Sequence, residues 1–145
     1  MEGFVHCDPH AGNMLVRPLK GKRGGKAQLV LLDHGLYREI PDDFRRAYAG
    51  LWASIVFADE AGIAENARAL GVGQYHLLAG MLTTHTWDII MDGELDRLAV
   101  RDGDKQARDK LNANVAQYAD EIMTLLRTCP RELLLLFKTN DCLRT

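Results

Sequence analysis

The chain's patterning predicts an α+β fold that is mostly α: a small β-hairpin near the start, then four or five helices. Three observations carry that expectation. Two short apolar runs between Asn13 and Asp33 sit on either side of a glycine- and lysine-rich stretch. Nothing after Tyr37 has the pattern of a strand. From Ile40 onward, apolar residues recur every three or four positions.

The hairpin comes first. NMLVR (Asn13 to Arg17) and AQLVLLD (Ala27 to Asp33) flank PLKGKRGGK, whose glycines and proline are turn chemistry. Arg17, Lys20, Lys22, Arg23 and Lys26 make that connection basic, which suits a solvated flexible loop or a contact with anionic lipid or substrate. In IPDDFRRAYAGLWASIVFAD (Ile40 to Asp59), Pro41 and two acids sit where a helix N-terminus favours them. Phe44, Tyr48, Leu51, Trp52, Ile55 and Val56 supply its apolar stripe. EAGIAENARALG (Glu60 to Gly71) is a second helix, with Gly71 as its C-terminal cap. Gln74 to Met91 reads as one further helix and Asp92 to Lys105 as a polar loop. Leu111, Val115, Tyr118, Ile122 and Leu125 mark the next helix, which Cys129-Pro130 breaks. PRELLLLFKTNDCLR is the last, apolar enough to be central. Trp52, Trp87 and the leucine stripes are core candidates, and His76 and His85 read as ordinary helix residues.

The 145 residues suit one domain, and the formal charge of −2 does not favour nucleic-acid binding by phosphate neutralisation. Cys7, Cys129 and Cys142 are odd in number and far apart, which argues against a disulfide framework and for a reducing compartment. No apolar run approaches the ~20 residues of a membrane span. The first ten residues carry neither a signal-peptide pattern nor an arginine-rich presequence.

The chemistry sits at the ends of the hairpin, in HCDPHAGN before it and LLDHGLY after it. An antiparallel hairpin returns the chain to where it began, so Asp33 should come close to Asp8 and Asn13. Carboxylates and an amide converging there would suit a hard divalent cation such as Mg2+. The spacing matches the catalytic half of a kinase. In kinases, an aspartate takes the acceptor's proton and an asparagine five residues on holds Mg2+. The aspartate of a D-x-G turn then holds metal on the phosphates.

HCDPHAGN…LLDHGLY resembles the UbiB/ADCK (aarF-domain) atypical kinase-like family, whose catalytic loop reads H-x-D-P-H-P-G-N. The D-H-G-L-Y form is similar to the family's mitochondrial ADCK branch. FRRAYAGLWASIV, MLTTHTWD and PRELLLLFKTNDCLR are similar to that branch too. The resemblance implies the C-terminal lobe of a kinase-like fold, Mg2+ and adenine nucleotide (ATP or ADP), and a mitochondrial address. It also implies a role in mitochondrial lipid or quinone homeostasis, by ATP hydrolysis or small-molecule phosphorylation. Asp8 would be the catalytic aspartate and His6 the histidine bracing the metal-binding turn. Asn13 and Asp33 would hold metal, Gly35 would complete the nucleotide-side turn, and His10 and Gly12 would shape the loop. Ala11 stands where the family has proline, which removes no ligand.

The family's glycine- or alanine-rich nucleotide loop, strand lysine, helix glutamate and K-x-G-Q segment have no counterpart in these residues. The expectation is therefore a partial kinase-like domain whose N-terminal lobe is missing. In it, residues 1–37 carry the catalytic loop, hairpin and D-H-G turn, and residues 38–145 form a helical subdomain. The missing helix before the catalytic loop should leave apolar surface uncovered. Two rival readings remain. One is a non-catalytic binding module. The other is a zinc protein using His6, Cys7, Asp8, His10 and His34, although Pro9 disfavours a regular strand there.

Overall fold

A computed structural model describes residues 3–19, 26–93 and 118–144. These form two compact units, one from Met1–Ile40 with Glu132–Thr145 and one from Pro41–Arg131.

The first unit contains the expected hairpin, β2 (Met14–Pro18) with β3 (Ala27–Leu31), antiparallel with Met14 opposite Leu31. Backbone bonds from Leu32 N to Asn13 O (2.9 Å) and Leu19 N to Lys26 O (3.0 Å) carry the ladder past both strand ends. A second ladder was not expected. β1 (Phe4–His6) pairs antiparallel with β4 (Tyr37–Glu39), with His6 opposite Tyr37. The reading that no strand follows Tyr37 is thus corrected: each of these strands has three residues, too short for alternation to show. Helix α6 (Arg131–Arg144) contributes its residues from Glu132 onward to this unit. Leu133, Leu136 and Thr139 are buried on it. They lie three residues apart, on one face of the helix.

The second unit is helical. α1 (Asp42–Val56) starts after Pro41 with Asp42 and Asp43 in its first turn, and Arg45 pairs with Asp42 at 2.7 Å. Asp59 caps α2 (Glu60–Ala69) by accepting from Gly62 N at 3.1 Å. Gly71 adopts a φ of +81° just beyond α2, the left-handed cap that its position in the sequence called for.

The helix expected over Gln74 to Met91 is two helices, α3 (Tyr75–Thr83) and α4 (Trp87–Met91). Thr84, at φ 63°, separates them. The hydroxyls of Thr83 and Thr84 bond to Ala79 O and Thr83 O, and Thr83 Oγ1 accepts from His85 N, so local side-chain bonds compete with the helix. α5 (Ala119–Thr128) ends at Cys129-Pro130 as expected. Its anticipated N-terminal stretch from Leu111 lies outside the described residues, as does most of the Asp92–Lys105 loop.

Leu51, Ile55, Ile63, Leu70, Leu78, Leu82, Ile90 and Leu125 are fully buried and make the core of this unit. Trp52 and Trp87 are only half-buried, and Val56, at the end of α1, is exposed. The fold is therefore mostly helical with a small β portion, in keeping with the C-terminal lobe of a kinase-like protein. Six helices stand among the described residues, against the four or five expected.

Candidate active site

The two ladders frame the site. β1 and β4 stay paired up to a bond from Cys7 N to Leu36 O (2.9 Å), and the hairpin ladder resumes at Asn13 and Leu32. Residues 8–12, expected to form the catalytic loop, and residues 33–35 of the D-H-G turn are thus the opposed connections between the same two ladders. This register, more than any single contact, brings Asp8 and Asp33 to the same end of the hairpin.

Hydrogen bonds hold each connection in shape. His6 Nδ1 accepts from Asp8 N at 3.3 Å. Asn13, which is buried, donates through Nδ2 to Asp8 O at 3.1 Å. His10 Nδ1 accepts from Gly12 N at 3.1 Å, and Asn13 N bonds His10 O at 2.9 Å, closing a single 3-10 turn over Ala11–Asn13. A Cβ on Gly12 would lie 3.0 Å from His10 Cε1, so the turn favours glycine. Across the gap, Asp33 Oδ1 accepts from Gly35 N at 2.7 Å.

Because His6 Nδ1 is an acceptor, its proton sits on Nε2, which is shielded from solvent and has no partner among the described residues. The side chain therefore braces the start of the connection at residues 8–12, and its second nitrogen makes no bond to the D-H-G turn.

Tyr37 ties the two sides together. Its ring stacks on Phe4 and lies against His6, both with centroids 4.9 Å away, and it stacks on His34 at 5.7 Å. Its hydroxyl meets His34 Nδ1 at 2.8 Å. Nothing in the sequence beyond its place in D-H-G-L-Y marks Tyr37 for this role.

Lys138 was missed altogether. Its Nζ lies 2.9 Å from Asp8 Oδ1. That oxygen is hidden from solvent. At that distance a rotatable ammonium supplies its charge without a fixed angle. Hydrogen bonding to the ammonium holds the Asp8 carboxyl below its usual range, against desolvation, and the same contact pushes Lys138 up. The one available sequence signal was a lone cation following LLLLF.

Asn13 Oδ1 and Asp33 Oδ2 make no hydrogen bond among the described residues. They are a hard amide oxygen and a carboxylate oxygen, the donor types Mg2+ takes. The zinc reading has no such ligand set. Among the described residues no three histidine, cysteine or acidic side chains are grouped to hold a metal. Cys7 is fully buried. Burial raises its thiol, against the pull of Arg38 and Lys138. No described helix is long and apolar enough to cross a membrane.

The family profile of the ABC1 atypical kinase-like domain matches residues 1–67, which include both connections. A protein of Arabidopsis thaliana that carries the ABC1 name is 47% identical over 152 residues, covering 99% of this chain and 28% of its own length. AarF domain-containing protein kinase 1 of Mus musculus is 43% identical over 100% of this chain and 27% of its own length. The chain belongs to the ABC1/AarF atypical kinase-like family. It spans about a quarter of the length of the curated relatives it matches. Kinship extends to the protein of Dictyostelium discoideum named probable serine/threonine-protein kinase abkD, at 32% identity. No solved structure matches the chain.

Proposed function

We propose that this chain carries the catalytic and metal-binding segment of a Mg2+-dependent ATPase or phosphotransferase. Residues 1–37 supply the chemistry and Pro41–Arg131 the helical unit, and an N-terminal lobe covers the adenine nucleotide. The observation that carries the reading is the opposition of residues 8–12 and 33–35 between two ladders. Phosphoryl transfer depends chiefly on positioning and charge stabilisation, and such a frame supplies the positioning.

Asp8, kept ionised beside Lys138, accepts or orients the proton of the attacking hydroxyl or water. Asn13 and Asp33 hold the metal, which neutralises phosphate charge when bound. Gly35 fixes the Asp33 carboxylate, and His6, His10 and Gly12 keep the Asp8 backbone in place. Kinship with proteins named AarF domain-containing protein kinase supports this assignment. The mitochondrial address and the role in lipid or quinone homeostasis rest on the family resemblance, and a membrane-lipid contact rests on the basic residues of the hairpin loop; all are part of the same proposal.

The test is thermal stabilisation of the full-length protein by Mg·ATP and Mg·ADP. Stabilisation is expected in the wild type and lost in Asp33→Asn, whose own melting temperature stays near that of the wild type. Without nucleotide stabilisation in the wild type the proposal fails. The non-catalytic binding module would then lead, a reading favoured by the exposed Phe4, Leu15, Val16 and Leu29 of the first unit.

A further inference from the structure

We infer that Lys138 is a positioning residue for the catalytic loop: from the C-terminal helix it anchors one oxygen of the Asp8 carboxylate and leaves the other to take the acceptor's proton. This rests on the functional reading above.

The main chain of Asp8 is already fixed at both ends, through His6 Nδ1 at its nitrogen and Asn13 Nδ2 at its oxygen. Neither bond sets the rotation of the side chain. The Lys138 ammonium does, at 2.9 Å from Oδ1. The loop itself offers no substitute, because Asp8 to Asn13 contains no lysine or arginine. The cation has to come from elsewhere in the chain, and a helix is a firmer mount than a loop.

Helix α6 suits that task. Leu133, Leu136 and Thr139 are buried along it, and Thr139 Oγ1 bonds back to Leu135 O at 2.8 Å. Lys138 stands next to this buried stripe, with half of its side chain still exposed. A carboxylate waiting beside a nucleotide's phosphates meets like charge, and a neighbouring ammonium offsets that repulsion.

The test compares wild type, Lys138→Met, Lys138→Arg, Asp8→Asn and the Asp8→Asn/Lys138→Met double variant of the full-length protein in Mg·ATP turnover. Lys138→Met should lower kcat by roughly 10- to 100-fold, the scale of a misplaced catalytic group, with the KM for ATP little changed. Lys138→Arg should recover most of that loss, which separates the ion pair from mere packing. Added to Asp8→Asn, Lys138→Met should cost nothing further, since it acts through Asp8. An unchanged kcat in Lys138→Met would reduce the contact to an incidental surface pair and overturn the inference. A raised kcat would overturn it too, making Lys138 a clamp on the base.

If the wild type shows no Mg2+-dependent turnover, the functional reading fails. The anchoring is then judged by the 13C resonance of the Asp8 side-chain carboxyl. Movement in Lys138→Met that Lys138→Arg reverses supports the anchor, and no movement overturns it.

Discussion

The two compact units of the chain spend their residues differently. In Pro41–Arg131, apolar side chains from α1 to α5 are fully buried, among them Leu51, Ile63, Leu78 and Leu125. In the unit formed by Met1–Ile40 and Glu132–Thr145, strands of three to five residues hold polar loops in place. There Leu15, Val16 and Leu29 of the hairpin stay largely exposed. Burial supplies most of the stabilising free energy of a fold, whereas a hydrogen-bonded loop supplies geometry at small net gain. The difference teaches that stability and chemistry are separable here, and substitutions should reveal which unit they fall in.

The largest effect belongs to the helical unit. Leu51→Ala removes a fully buried side chain and should cost about 2–5 kcal/mol in urea denaturation. The nucleotide response of the molecules that remain folded should not change. If that response fell at full folding, the units would not be separable.

A smaller effect of opposite sign is expected at the break between α3 and α4. Thr84 holds a φ of 63°, a conformation costly for a β-branched residue. Thr84→Gly should raise stability by roughly 0.5 kcal/mol, the relief being partly offset by glycine's extra chain entropy. A loss above about 1 kcal/mol would mean that the Thr84 hydroxyl bond to Thr83 O (2.6 Å) matters more than the strain.

The smallest effect should come from the Lys138–Asp8 pair, exposed enough for solvent to weaken it. Asp8 is lowered in the folded chain, so its contribution is present above its unfolded value and lost as pH falls through the folded one. Lys138 is raised, so its contribution is present below its unfolded value and lost as pH rises through the folded one. The melting-temperature gap between wild type and Lys138→Met should therefore be flat from about pH 4 to about pH 10 and close on either side. A gap unchanged down to pH 2 would show that packing of the lysine stem, not charge, is responsible.

What was legible in the sequence divides by range. The hairpin, the Gly71 cap and the Cys129-Pro130 break announce themselves through local turn and cap chemistry. HCDPHAGN and the D-H-G turn stand out as candidates because their spacing is that of a known chemistry, and their catalytic and metal-holding roles belong to the proposal. The pairing of Phe4–His6 with Tyr37–Glu39 was not, since it joins two three-residue segments about thirty positions apart. Thr83 and Thr84 sit inside an apolar stripe whose period runs on undisturbed, so the break between α3 and α4 depends on hydroxyl bonds that periodicity does not register. Lys138 lies 130 positions from Asp8, and no local pattern links a charge on α6 to that loop.

The most direct test of the central claim is hydrogen exchange across the full-length protein with and without Mg·ATP. The account predicts slower exchange at the amides of Gly12, Asn13 and Gly35 on nucleotide addition, with the α1 to α4 amides unchanged. Protection absent from both connections, or confined to the helical unit, would contradict it.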